Sequence, residues 1–78
     1  MTLGQLVCQN LKVLRRQRKL SQEAVAHKAG ISVSYVSMLE RGQRTPPLQT
    51  LEVLAKALAV SPLALLGDHG RPAARARR

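Results

Sequence analysis

The fold is decided by residues 21–41, which read SQEAVAHKAGISVSYVSMLER. Ser21 is of a residue type that caps helix N-termini, and the acid two positions later suits the positive end of a helix dipole. Gly30 is the residue that most easily takes the left-handed conformation ending a helix, and Ser32 offers a second N-cap just after it. The stretch therefore predicts two short helices joined by a tight turn, at about residues 22–29 and 33–40.

Before this stretch, apolar residues recur at the three- and four-residue steps of an amphipathic helix. The predicted first helix covers about residues 3–18, and its apolar side carries Leu3, Leu6, Val7, Leu11 and Leu14. Its opposite side is basic, with Lys12, Arg15, Arg16, Arg18 and Lys19. No alternating run rich in β-branched or aromatic residues spans more than a few positions, so strands are not expected. The sequence predicts an all-α fold.

After this stretch we expect a loop, two more helices and a tail. Gly and Pro mark residues 41–47 as the loop. Pro47 suits the first position of a fourth helix, and Ser61-Pro62 repeats the start signal for a short fifth helix that ends at Gly67. The apolar residues of these two helices are Leu48, Leu51, Leu54, Ala55, Leu58, Leu63, Leu65 and Leu66. Residues 68–78 lack an apolar pattern, so we expect a domain at 1–67 and a flexible basic tail at 68–78.

Composition favours duplex nucleic acid as the partner. Thirteen Lys and Arg against four Asp and Glu give a net charge of +9, which attracts nucleic acid or an anionic membrane surface. Tyr35 is the only aromatic residue, whereas single-stranded and RNA-binding modules stack bases on several. No apolar run is long enough to predict a membrane span. Cys8 is the only cysteine and lies among apolar residues, so we expect a core side chain and a reducing, intracellular location.

The second helix of the pair has one side to bury and one to expose. Val36 and Leu39 lie one turn apart and predict the buried side. The opposite side carries Val33, Ser34, Ser37 and Met38, none of them acidic. Serine hydroxyls can bond base edges, and Val or Met can contact the thymine methyl group. Two small helices around a tight turn in a basic chain predict a DNA-reading helix-turn-helix; the alternative is a helix surface without a partner.

From Leu11 to Leu66 the chain resembles the helix-turn-helix regulators of the Cro and phage-repressor type, often called the Xre family. The matching segments are Leu14-Arg15, Leu20 to Ala26, Gly30-Ile31-Ser32, Tyr35-Val36-Ser37, Leu39 to Gly42, Arg44-x-Pro46, Leu51, Leu54 to Leu58 and Val60-Ser61. The resemblance implies a five-helix, lambda-repressor-like domain that needs no cofactor and binds an operator as a dimer.

The resemblance also implies roles for single residues. The base-contacting positions are Val33, Ser34, Ser37 and Met38, and the backbone-contacting positions are Gln22, Tyr35, Arg41, Gln43, Arg44 and Thr45. Arg15 and Glu40 occupy the positions of a structural ion pair. The chain departs from relatives that place Gln or Arg first in the recognition helix, because Val33 cannot make a bidentate base contact. Ser34 and Arg44 must then contribute more, or base discrimination is modest.

Metal chemistry and catalysis are not expected. His27, His69 and Cys8 are too scattered along the chain to suggest a metal site. No potential nucleophile has an evident base and orienting group, so we expect no enzyme activity.

The C-terminal helices carry more aliphatic side chains than one small core needs. This excess predicts a homodimer built from Leu58, Val60, Leu63, Leu65 and Leu66; the alternative is that all of them are core. Two recognition helices would then enter successive major grooves of a near-palindromic site. The leading hypothesis is a cytoplasmic transcriptional repressor, nucleoid-associated when bound to double-stranded DNA. Two alternatives stay open: the antitoxin of a toxin–antitoxin pair, and a protein-interaction module that has lost DNA binding.

Overall fold

The computed structural model describes residues 1–67, and this part of the chain folds into four α-helices and one 3₁₀ helix. The α-helices are α1 (Leu3–Gln17), α2 (Gln22–Ala29), α3 (Val33–Glu40) and α4 (Leu48–Ala57), and the 3₁₀ helix covers Pro62–Leu66. The all-α prediction is confirmed, and no described helix is long and apolar enough to cross a membrane. The predicted basic tail at 68–78 and His69 lie outside the described residues.

The last helix differs from the prediction in type. Residues Pro62–Leu66 form a five-residue 3₁₀ helix that begins with a proline. A segment of this length contains little more than one helical turn, and short terminal helices commonly adopt the tighter 3₁₀ geometry. Its start was predicted correctly, because the Ser61 hydroxyl accepts a hydrogen bond from the amide of Leu63 at 3.2 Å.

Hydroxyl side chains set the start of three α-helices in the described chain. The Ser21 and Ser32 hydroxyls accept hydrogen bonds from the amides of Ala24 and Tyr35, each at 3.0 Å, as the sequence predicts for N-caps. Thr2 and Gln5 form a capping box at the start of α1, which the sequence analysis missed. Pro47 does not open α4 as predicted; it precedes the helix in an extended conformation.

The core is a single cluster to which every helix contributes. The side chains buried in it are Val7, Leu11, Leu14, Val25, Ala26, Val36, Leu39, Leu51, Leu54, Ala55, Leu58 and Leu65. Among the predicted apolar positions, two at the starts of helices are instead exposed: Leu3 is 63% and Leu48 is 79% accessible. Each is the first residue of its helix, so the apolar stripe continues past the edge of the core. Cys8 is buried beside this cluster, as predicted.

A buried amide fixes the 3₁₀ helix to α1. Asn10 is the buried polar residue of the described chain, at 3% exposure. Its Nδ2 atom donates hydrogen bonds to the carbonyl oxygens of Leu65 at 2.8 Å and Gly67 at 2.6 Å. These two carbonyls lie at the end of the helix, where backbone acceptors have no partner within the helix itself. Asn10 therefore satisfies both and holds the end of the 3₁₀ helix on α1.

Candidate nucleic-acid interface

A three-residue turn sets the geometry of α2 and α3. Gly30 has φ 73° and ψ 31°, and the amide of Ile31 donates to the carbonyl of Ala26 at 3.0 Å. Ile31 then packs against the core, and Ser32 caps α3 directly after it. Val25 and Val36, one from each helix, are fully buried. The turn therefore leaves α3 with one side fixed in the core and the other facing outward.

The outward side of α3 contains the residues assigned to base contact. Val33 is 41% exposed and Ser34 is exposed, whereas Ser37 and Met38 are half-buried. Among the described residues, the Ser34 hydroxyl has no hydrogen-bond partner. With Ser37, whose hydroxyl also lacks a partner among the described residues, this face offers two unused hydroxyls and two apolar side chains, and no acid that would repel phosphate.

A polar and basic edge lies beside the C-terminal end of α3. Gly42, with φ 75°, turns the chain into the α3–α4 loop, here residues 41–47. Arg41 points its Nε atom toward the carbonyl of Ser37, 3.4 Å away. The other predicted backbone-contacting residues of this loop, all exposed, are Gln43, Arg44 and Thr45. Tyr35 differs from them, because its half-buried side chain packs against the core.

A buried polar network joins α1, α2 and the end of α3. The structure brings Arg15 and Glu40 together: Nε of Arg15 donates to Oε2 of Glu40 at 2.5 Å, and Nη2 donates to Oε1 at 3.0 Å. Arg15 also donates from Nη1 to the carbonyl of Leu20 at 2.8 Å. Gln22 completes the network by donating from Nε2 to Oε1 of Glu40 at 3.1 Å. The side chain of Gln22 is therefore held against α3, which its sequence position alone did not indicate.

The network keeps Glu40 ionised although its side chain is only 3% exposed. Burial by itself raises the pKa of Glu40, but the hydrogen bonds from Arg15 and Gln22 and the charges of Arg15 and Lys12 outweigh burial. The pKa of Glu40 consequently lies below its ordinary value. The hydrogen bond to Glu40 raises the pKa of Arg15, so the pair is charged on both sides.

The residues assigned to the dimer interface do not share one surface. Leu58 and Leu65 are 0% exposed, so they belong to the chain's own core and that part of the prediction is corrected. They face inward because α1, α4 and the 3₁₀ helix pack around them. Val60 is half-buried, while Leu63 is 74% and Leu66 is 37% exposed. A second chain could therefore reach Leu63 and Leu66.

Comparison with known proteins gives consistent matches across this unit. A helix-turn-helix family model, HTH_3, matches residues 11–65. The uncharacterised HTH-type transcriptional regulator y4dJ of Sinorhizobium fredii is 46% identical over 66 residues, which are 85% of this chain and 86% of that protein. The immunity repressor protein of Bacillus phage phi105 is 41% identical over 69 residues, 88% of this chain but 45% of the repressor. The chain thus spans less than half of the phage repressor.

A solved structure shows the same fold. The restriction-modification controller protein C.AhdI from Aeromonas hydrophila superposes with a TM-score of 0.75 at 41% identity, covering 81% of this chain and 94% of that one. The matched family region contains α2, the turn and α3 in full. The resemblance predicted from the sequence is confirmed, and with it the expectation of a regulator rather than an enzyme. The chain belongs to the helix-turn-helix family, among the DNA-binding transcriptional regulators of the Cro and phage-repressor type.

Proposed function

We propose that this chain is a transcriptional repressor that binds a near-palindromic operator in double-stranded DNA as a homodimer. The observation that carries the proposal is the outward side of α3, where Val33 and the unpartnered hydroxyl of Ser34 are exposed on the helix that leads into the basic α3–α4 loop. In this arrangement α3 enters the major groove, with Ser34 bonding a base edge and Val33 and Met38 contacting thymine methyl groups. The protein acts in the cytoplasm and is nucleoid-associated when bound.

Contacts to the sugar–phosphate backbone would come from residues around the C-terminal end of α3. Arg41, Gln43, Arg44 and Thr45 lie at its C-terminal end, and Gln22 lies at the start of α2. The amide of Gln22 has a second N–H that its bond to Glu40 does not use, so it can donate to a phosphate while held in place. Such contacts fix the register of the protein on the duplex and carry little sequence information.

A dimer would add sequence specificity, because the outward side of a single α3 offers few groups that can hydrogen-bond to bases. Leu63 and Leu66, exposed on the 3₁₀ helix, are the residues we propose at the two-fold contact. Two recognition helices would then lie about 34 Å apart, one turn of DNA, and read two half-sites. The names of the relatives, an immunity repressor and a controller protein, support regulation by operator binding.

Selection of bound sites from a random duplex library, with the 78-residue chain, tests the proposal. We expect enriched sites with two-fold symmetry and half-site centres about 10 base pairs apart. The Ser34→Ala variant should lose about threefold to tenfold in preference at one base pair per half-site, the size of one hydrogen bond. No enrichment of any duplex sequence would overturn the proposal.

The dimer is tested separately by sedimentation at increasing protein concentration. We expect Leu63→Ser to weaken self-association, since it removes the most exposed leucine of the 3₁₀ helix. Leu3→Ser is the matched control, because Leu3 is similarly exposed but lies on α1. Equal association of both variants and the wild type would exclude the 3₁₀ helix as the contact.

A further inference from the structure

The α3–α4 loop rests on α1 at two points, Cys8 and Gly4. Cys8, on α1, is 4% exposed and donates from Sγ to the carbonyl oxygen of Arg44, 3.3 Å away. Gly4, one turn earlier, lies directly under Thr45: a Cβ atom added to Gly4 would be 3.1 Å from Oγ1 and 3.3 Å from Cγ2 of Thr45. Residues four apart share one side of a helix, so Gly4 and Cys8 form one contact surface for the loop.

The loop is therefore fixed at both ends. At its start, the amides of Gly42 and Gln43 donate to the carbonyls of Leu39 at 3.0 Å and Met38 at 2.9 Å, which ties the loop to α3. Further along, the backbone carbonyl of Arg44 accepts a hydrogen bond from Cys8, the side chain of Thr45 lies over Gly4, and Pro46 is buried. The side chains of Gln43 and Arg44 remain exposed between these anchors.

The fixed backbone at Arg44 affects how its long side chain binds DNA. The position of the Arg44 Cα is set before DNA arrives, so less conformational freedom is lost when the guanidinium meets a phosphate. The thiol suits a structural role, because burial raises the pKa of Cys8 and keeps it a neutral S–H donor. At Gly4, an added Cβ would lie 3.1 Å from Oγ1 of Thr45, so the side chain of Thr45, the neighbour of Arg44, would have to move by a few tenths of an ångström.

We propose that Gly4 and Cys8 are positioning residues of the DNA interface: they seat the α3–α4 loop on α1 so that Arg44 reaches the DNA backbone beside α3. This inference rests on the proposed function, because it gives Gly4 and Cys8 a role only if Arg44 contacts DNA.

The main test is Gly4→Ala, measured for affinity to a selected operator and for thermal stability in parallel. Alanine is the better helix former, so helix propensity alone predicts no loss of stability. We expect affinity to fall about tenfold, the size of one weakened charge-assisted hydrogen bond, while the melting temperature stays near that of the wild type. Gln9→Ala is the control: Gln9 is exposed on α1 and has no contact with the loop among those described, so its affinity should match the wild type.

Two double variants test whether Gly4→Ala changes DNA affinity through Thr45 and Arg44. In an Arg44→Ala background, Gly4→Ala should change affinity no further, because the side chain it positions is gone. In a Thr45→Ala background, Gly4→Ala should be nearly neutral, because the two atoms that the new methyl group would meet are gone. Additive effects of Gly4→Ala and Arg44→Ala would overturn the inference.

A second variant and a DNA-free measurement cover the case in which Gly4→Ala disturbs folding. Cys8→Ala should lower affinity, and Cys8→Ser, which keeps a donor, should lower it less. In the free protein, both alanine variants should shift the amide resonances of residues 43–46 and leave those of α2 unchanged. If the wild type binds an operator and Gly4→Ala and Cys8→Ala bind it equally well, the inference fails and the proposed function stands. If the wild type binds no duplex, both fail.

Discussion

Glu40 connects three helices through a single carboxylate. Its two oxygens accept hydrogen bonds from Arg15 of α1 and Gln22 of α2, and the residue itself ends α3. A buried ion pair adds little net stability, but losing one partner leaves an uncompensated buried charge. The geometry of the pair therefore matters more than its strength: it fixes the end of α3 relative to α1 and to the start of α2.

The depressed pKa of Glu40 predicts acid-dependent stability. Since the folded-state pKa is below the unfolded one, the stabilisation is complete above about pH 4.3, the ordinary pKa of Glu, and is lost as pH falls toward the folded-state value. Above pH 5 or so we expect Glu40→Gln to lower the free energy of unfolding by about 3 kcal/mol, and below about pH 4 the gap to the wild type should narrow.

Urea denaturation at a series of pH values measures this gap. Glu52→Gln controls for the loss of one carboxylate, because Glu52 is exposed on α4. A gap between Glu40→Gln and the wild type that stays constant from about pH 3 to pH 6 would show that the carboxylate contributes nothing as a charge.

At the scale of elements, the four α-helices of residues 1–67 end in the same backbone motif. The left-handed residues are Lys19, Gly30, Gly42 and Ala59. After each, the next amide bonds back five residues, from Leu20 to Arg15, Ile31 to Ala26, Gln43 to Met38 and Val60 to Ala55. Three of these next residues are apolar and pack on the core. The exception follows α3, where exposed Gln43 leads the chain into the α3–α4 loop instead.

These ends show which element boundaries a sequence can reveal. The bounds of α2 and α3 were predicted at 22–29 and 33–40, as observed, because Ser21, Gly30 and Ser32 carry explicit cap and stop signals. The ends of α1 and α4 lack such a signal, since Lys19 and Ala59 adopt a conformation that their residue type disfavours. At these two ends, the packing of the next residue, Leu20 or Val60, against the core imposes the left-handed turn.

Replacing Ala59 with Gly should therefore stabilise the protein. Ala59 has φ 58°, a conformation that costs an L-residue roughly 1 kcal/mol and costs glycine almost nothing. Allowing for the greater freedom of glycine in the unfolded chain, we expect the free energy of unfolding to rise by about 0.5 kcal/mol. Ala57→Gly is the matched control in the right-handed part of α4 and should lose about 1 kcal/mol. Chemical denaturation gives both values; a loss in both variants would contradict the strain at Ala59.

For the whole molecule, helical spacing predicted the two sides of α3 but not the tertiary contacts that complete the site. Nothing in the local sequence separates Leu58 and Leu65, which fill the core, from Leu63, which is exposed. The contact between Gly4 and Thr45 joins residues 41 positions apart in the sequence, and no local periodicity predicts such a contact. The net positive charge was evident from the composition. The position of basic residues beside the end of α3 could be seen only in the folded structure.

That arrangement predicts how DNA affinity depends on salt. Residues 1–67 carry nine Lys and Arg against three Glu, and Arg15 is committed to Glu40. Each phosphate that a cation neutralises releases counterions, so the logarithm of the binding constant falls by about 0.9 per unit of log salt concentration for every such contact. We expect a steep slope for the wild type and a slope reduced by about one unit for Arg44→Ala, since Arg44 lies in the loop beside α3.

Lys56→Ala removes the same charge from the exposed surface of α4, away from this loop, so its slope should stay that of the wild type. Titrations of a selected operator at several salt concentrations distinguish the two variants. Equal slopes for both would mean that the positive charge acts through the overall field of the molecule, and Arg44 would lose its place at the backbone contact. If the slope falls for Arg44→Ala alone, Arg44 contacts a phosphate of the DNA. That phosphate then lies beside the C-terminal end of α3, where the loop contacts Gly4 and Cys8.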